Sequence, residues 1–153
     1  MRNQKKLLLE QLDRKLEPFK GIEKVIVPAT GWINNIRTAL NMTLEQLGNK
    51  LNMTKQGIKN IEERETSGSI SIKTLKEVGK ALDMHFVYGF VPIYGSAENI
   101  VDRKAHKLAR KIVLRTSQNM KLENQGNSEE RINQAIAELA SEIKREMRKS
   151  LWN

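Results

Sequence analysis

Apolar residues recur along this chain every three or four positions, in runs too short for one long helix. Leu8, Leu9, Leu12 and Leu16 form a first stripe and predict a helix over residues 5 to 17. Pro18 closes it, because the residue before a proline avoids the helical region. Residues 19 to 28 form a connector in which "VIV" can run extended. Trp32, Ile33, Ile36 and Leu40 then mark a helix with Thr30 as its candidate N-cap. Thr43 and Thr54 stand in the same position before the next two runs. Ser71 precedes Leu75, Val78 and Leu82, in a helix reaching about Asp83. The pattern thus places four short helices between about residues 30 and 83.

The period changes at "HFVYGFVP", residues 85 to 92, which is rich in β-formers and closed by Pro92. A lone strand cannot satisfy its own ladder, and no second strong strand is legible. The expectation is therefore a dimerisation strand, with Phe86, Val87, Tyr88, Phe90 and Val91 pairing with their copies in a second subunit. Two helices follow, at about 97 to 122 and 128 to 150. They are separated by "ENQGNS", where Gly126 and Asn127 end one helix and Ser128 opens the next. Ile132, Ile136, Leu139, Ile143 and Met147 give the last helix one apolar face. The domain reading is residues 1–28 as N-terminal helix and connector, 29–83 as a helical domain, 84–93 as the strand and 94–153 as a C-terminal helical region. No internal repeat or low-complexity tract interrupts it.

The stretch "LEQLGNKLNMTKQGIKNIEE", residues 44 to 63, carries the functional signal. Leu47, Gly48, Leu51, Met53, Ile58 and Ile61 have the spacing of a helix-turn-helix, two helices crossing tightly. Gly48 permits close approach, and Asn52 suits the left-handed turn position. With Ile58 and Ile61 inward, Lys55, Gln56, Lys59 and Asn60 point outward, and Gly57 offers backbone access. Amide side chains can pair bidentately with adenine, and lysine can meet guanine or a phosphate. Thr43 and Thr54 at helix N-termini suit phosphates, as do Arg64, Thr66 and Ser67 after them. An ordinary helical hairpin is the bland alternative, and it does not require both caps and all six positions.

Charge agrees with a polyanionic partner. Lys+Arg number 27 against 18 Asp+Glu, a formal net charge of +9 in 153 residues. Between residues 100 and 121, Arg103, Lys104, Lys107, Arg110, Lys111, Arg115 and Lys121 face only Asp102, seven cations less one anion. A solvated helix face is the plain alternative. With 0 cysteines the chain has no disulfide, thiolate zinc site or thiol nucleophile. No apolar run approaches a membrane span, and "MRNQKKLLLE" lacks the form of a secretory signal, so the expected location is cytoplasmic.

Arg37 with Leu40, followed by "MTLEQLGNKLNMTKQGIKNIE", resembles the repressor-type, XRE-type helix-turn-helix family. The resemblance implies a mainly α fold: a five-helix DNA-binding domain with an N-terminal helix, one short dimerising β-strand and two C-terminal helices. It implies base reading by Lys55, Gln56 and Asn60, and a structural ion pair between Arg37 and Glu62. Two departures stand out. Leu44 replaces a glutamine that often contacts phosphate in relatives, and Gly57 lowers helix propensity by roughly 1 kcal/mol against alanine. Over nearly the whole chain, "QLDRKLEPF", "GWINNIRTALNMTLEQLG", "GSISIKTLKEVGKALDMHFVYGFVP", "LARKIVLRTSQNMKLENQ" and the terminal "LW" resemble the mobile mystery protein A family. Members are typically encoded on mobile regions beside a Fic-domain partner. The implied function is an antitoxin-like homodimeric repressor that binds a near-palindromic operator on double-stranded DNA and regulates its own operon.

The alternative is a protein-binding antitoxin that directly inhibits its partner enzyme. The inhibitory pattern S/T-x-x-x-E/D-G/N has no match in "SGSISIK", "TSQNMKLEN" or "SEERIN". Enzymatic activity has no support. His85 and His106 lack an acidic constellation, and Ser69 and Ser71 lack a base. Trp32 and Trp152 suit core or interface positions better than base stacking, since aromatic residues make up only 5% of the chain. No cofactor or metal is expected.

Overall fold

Hydroxyl side chains open three of the helices by accepting hydrogen bonds from backbone N–H groups that a helix start leaves without partners. Thr43 takes the N–H of Gln46, whose side chain returns to the Thr43 N–H in a capping box. Thr54 takes the N–H of Gly57, and Ser71 that of Thr74. The computed structural model describes residues 2–122 and 129–153, so the break expected at Gly126, Asn127 and Ser128 lies outside the described residues. Its α-helices are α1 Arg2–Leu16, α2 Trp32–Ala39, α3 Leu44–Leu51, α4 Lys55–Ser67, α5 Ile72–Ala81, α6 Ala97–Leu122 and α7 Glu129–Glu146. Short 3₁₀ turns occur at Glu17–Phe19, Ile22–Lys24 and Lys149–Trp152. The chain divides into two packed units, Glu23–Gly89 and Met1–Ile22 with Phe90–Asn153.

In the unit Glu23–Gly89, Ile33 of α2, Leu47 of α3, Ile58 and Ile61 of α4, and Val78 of α5 meet Leu82 in one buried core. Each such side chain contributes about 1.5–3 kcal/mol by leaving water. The crossing of α3 and α4 is the tightest feature. A Cβ added at Gly48 would lie 2.6 Å from the carbonyl oxygen of Met53, closer than packed atoms allow. Between the two helices Asn52 takes the left-handed conformation (φ 54°, ψ 43°), and the Met53 N–H returns to the Gly48 carbonyl at 2.8 Å.

Two carboxylates of α4 hold α2 in place. Glu62 Oε1 accepts from Arg37 Nη2 at 2.8 Å and Nε at 3.0 Å, and both side chains are buried. Arg37 Nη1 also donates to the Met42 carbonyl at 2.9 Å, and Asn34 Nδ2 donates to Glu62 at 3.2 Å. Glu65, one turn later, accepts the backbone N–H groups of Trp32 and Ile33 at 2.7 and 2.8 Å. The N-cap of α2 is therefore Gly31, not the expected Thr30, and its capping carboxylate comes from 33 residues away. Gly31 sits at φ 84°, where an added Cβ would press on Glu65 at 3.0 Å.

Two expectations need correction here. Four α-helices, not the five that the family resemblance implies, occupy Glu23–Gly89, and no strand occurs among the described residues. Residues 84–92, with Phe86, Val87, Tyr88, Phe90 and Val91, have no regular secondary structure. A strand exists through its ladder, and no described segment supplies one. Phe86 instead stacks on Tyr88 with ring centroids 6.1 Å apart, and Lys76 lies 5.6 Å over the Tyr88 ring.

In the other unit, α6 and α7 run antiparallel. Val101, Ala105 and Ala109 recur every four residues on α6, and their small size admits Ile136 and Ile143 of α7. Of the N-terminal leucine stripe, Leu9 packs against this core, while Leu8 and Leu12 are exposed. Asp13 caps α6, accepting the N–H groups of Ala97 at 2.6 Å and Glu98 at 3.2 Å. Lys144 of α7 bridges Glu98 at 2.9 Å and Asp102 at 2.7 Å. Burial opposes its charge, but the hydrogen bonds to Asp102 and Glu98 outweigh that penalty and raise its pKa. α7 ends at Glu146 rather than near residue 150. Met147 turns to φ 48°, and the following 3₁₀ turn buries Leu151.

Three substitutions test this account by chemical denaturation. Gly48→Ala should cost about 1–3 kcal/mol, since the added methyl must push two backbones apart. Glu62→Ala should cost about 3–5 kcal/mol, because it leaves Arg37 buried and unpaired. Glu65→Ala, which removes only a cap, should cost about 1 kcal/mol.

Candidate nucleic-acid interface

The inward side of α4 carries Ile58, Ile61 and Glu62. At 100° per residue, the opposite face is then shared by Gln56, Asn60, Glu63 and Ser67, with Lys55, Lys59 and Thr66 beside them. Lys55, Gln56, Lys59 and Asn60 are all exposed, within the first two turns of the helix. Gln56 Nε2 donates to Asn60 Oδ1 at 3.0 Å, one turn apart. This bond fixes both amides and leaves a Gln56 oxygen acceptor beside the Asn60 amide donors. That pairing of donor and acceptor matches the major-groove edge of adenine.

The hydroxyls divide by where their protons go. Thr43 and Thr54 accept backbone N–H groups at their helix starts, so each keeps its own proton to donate. Thr66 donates to the Glu63 carbonyl at 2.8 Å, and Ser67 lies 3.2 Å from the Arg64 carbonyl and 3.0 Å from the Ser69 hydroxyl, both within reach of its proton. Those two therefore present acceptors outward, which do not complement a phosphate oxygen. Arg64 lies toward Leu51, Met53 and Thr74, away from Lys55 on the far side of α4.

An open groove runs along α4 and is lined by Thr30, Asn34, Leu44, Lys55, Gln56 and Lys59, with Glu63 and Thr66 toward its far end. The N-terminal half of the α4 face is thus basic and amide-bearing, and Glu63 makes its next turn acidic. A polyanion is favoured only at the start of the helix, where the backbone dipole is also positive. Sequence reasoning placed the two lysines and two amides but missed Glu65, Asn34 and Glu63. Glu63 was open to reading, as it falls between Asn60 and Ser67 on the same helical face. Glu65 was not, because its partners lie across the fold; Gly31 ahead of a helix without a hydroxyl cap was the available hint.

His85 and His106 are both exposed, and among the described residues no group of three or more His, Cys, Asp or Glu could hold a metal ion. No described helix is long and apolar enough to cross a membrane.

Comparison with curated proteins and with solved structures gives no match. Residues 33–88, which span α2 to α5 and the segment after them, match the helix-turn-helix family model. With the α3–turn–α4 geometry and the open face of α4, that match makes this part of the chain a repressor-type helix-turn-helix domain, the DNA-binding module of a transcription regulator.

Proposed function

We propose that the protein is a transcriptional repressor that binds as a homodimer to a near-palindromic operator, with α4 in the major groove. The observation that carries this reading is the face of α4 itself. Lys55, Gln56, Lys59 and Asn60 are exposed together at the N-terminal end of the helix, and the two amides are held by their mutual hydrogen bond. In this reading Gln56 and Asn60 read bases, Lys55 and Lys59 meet guanine or phosphate, and Thr43 and Thr54 donate to phosphates on either side. Arg64, Thr66 and Ser67 have the weaker claim to phosphate, given where their groups are directed.

Dimerisation follows from operator logic, since two recognition helices about 34 Å apart read two half-sites. Exposed Val25, Ile26, Val27 and Val87 give the unit Glu23–Gly89 uncovered apolar surface that association would cover. The whole-chain resemblance to the mobile mystery protein A family supports a narrower biology. The protein would repress its own operon as an antitoxin-like regulator beside a Fic-domain partner.

Fluorescence anisotropy against DNA upstream of the protein's own gene, with a scrambled duplex of equal length, tests the reading. Tight binding is expected to the first duplex, with two subunits per site. Gln56→Ala and Asn60→Ala should each cost about 1–3 kcal/mol on the operator and relax preference at one base pair. Lys59→Ala, if it loses a phosphate, should weaken both duplexes alike. Equal affinity of the wild type for both duplexes would overturn sequence-specific repression.

A further inference from the structure

The basic helix α6 belongs to the other unit. Arg103, Lys104, Lys107, Arg110, Lys111 and Arg115 are all exposed, and none forms an ion pair among the described residues. A solvated helix commonly answers its cations with carboxylates one turn away. Here the two acids near the start of α6, Glu98 and Asp102, are both engaged by Lys144 of α7. The packing that neutralises the acids leaves the cations unanswered.

Arg103 adds orientation to charge. Its guanidinium lies 3.9 Å over the ring of Tyr94, whose carbonyl is held by Asn99 Nδ2 at 2.7 Å. Stacking covers the face of the guanidinium and leaves the in-plane N–H donors at its edge, the geometry that suits a phosphate. At 1.5 Å per residue, Arg103 to Arg115 spans about 18 Å. One DNA strand presents about five phosphates over that length.

We propose that this face of α6 is a second, sequence-independent binding surface for the phosphate backbone of double-stranded DNA. The inference rests on the repressor reading and deepens it: α4 selects the sequence, and α6 supplies affinity that any duplex shares. Two surfaces on one chain raise each other's effective concentration at the DNA, so a short face with few contacts suffices. A carboxylate would fit the same arginine edge, but DNA is the ligand of the helix-turn-helix domain on the same chain, which makes its backbone the anion this face meets.

The test is an anisotropy titration of the full chain on the upstream and scrambled duplexes over a range of salt, for the wild type and Arg103→Gln/Lys107→Gln/Arg110→Gln. Losing three phosphate contacts should make the slope of log affinity against log salt shallower by about 2.7. Over a fourfold rise in salt, the wild type should then lose about 40-fold more affinity than the variant. The ratio of upstream to scrambled affinity should stay as in the wild type, because α4 is untouched. An unchanged slope and affinity for the folded variant would overturn the proposal and leave the face to solvent or an acidic protein. A second variant, Lys104→Gln/Lys111→Gln/Arg115→Gln, gives the same reading if the first melts early by circular dichroism. A wild type that cannot distinguish the duplexes would instead sink the α4 reading, while the slope still reports on α6.

Discussion

Glu62 and Glu65 grip the start and middle of α2 from successive positions on one side of α4, and the rest of the helix-turn-helix unit depends on that grip. Glu62 meets the buried guanidinium of Arg37, and Glu65 closes two N–H groups that α2 would otherwise leave unpaired. Apolar burial alone would let α2 slide over Ile58 and Ile61, because dispersion is not directional. Hydrogen bonds at 2.7 to 3.0 Å fix both register and angle. Because the same helix carries Lys55, Gln56, Lys59 and Asn60 on its outer side, what anchors α4 inward also aims its outer face.

This arrangement separates two kinds of charge. The acids of α4 lie mainly on its inner side and in its second half, where they work on the protein. Its bases and amides lie at the exposed N-terminal start, where the helix dipole adds to their effect. Glu63 is the exception, exposed one turn beyond Lys59, and it limits how far along the helix an anion is welcome. A similar division recurs on α6. Lys144 collects Glu98 and Asp102, and the remaining cations face solvent together. In both helices internal pairing of carboxylates shapes the field that a polyanion meets.

Much of the helix-turn-helix was legible in residue order because its determinants are local. Thr43, Thr54 and Ser71 cap helices that begin one residue later, and a hydroxyl three residues from the N–H it receives is a sequence-local relation. Gly48 and Asn52 were legible for the same reason, each set by the turn beside it. The outward face of α4 followed once Ile58 and Ile61 were assigned inward. Residues 84–92 show where the local signal misled. Their β-forming composition describes a preference for extended backbone, whereas a strand requires a partner that composition cannot provide.

The sequence by itself determined the helices, the hydroxyl caps of α3, α4 and α5, the tight turn and the exposed basic and amide side chains, because each depends on neighbours within one or two turns. Only the tertiary structure decided that Glu65 caps α2, that Asp13 caps α6, and that Thr66 and Ser67 bond to neighbouring groups of their own chain. It also decided which leucine of α1 packs against the core and which acids of α6 are neutralised. Most of these outcomes turn on contacts between residues 30 to 85 positions apart, which helical periodicity carries no information about. The hydroxyl protons are the local case: their direction depends on side-chain rotamers, which sequence spacing leaves open.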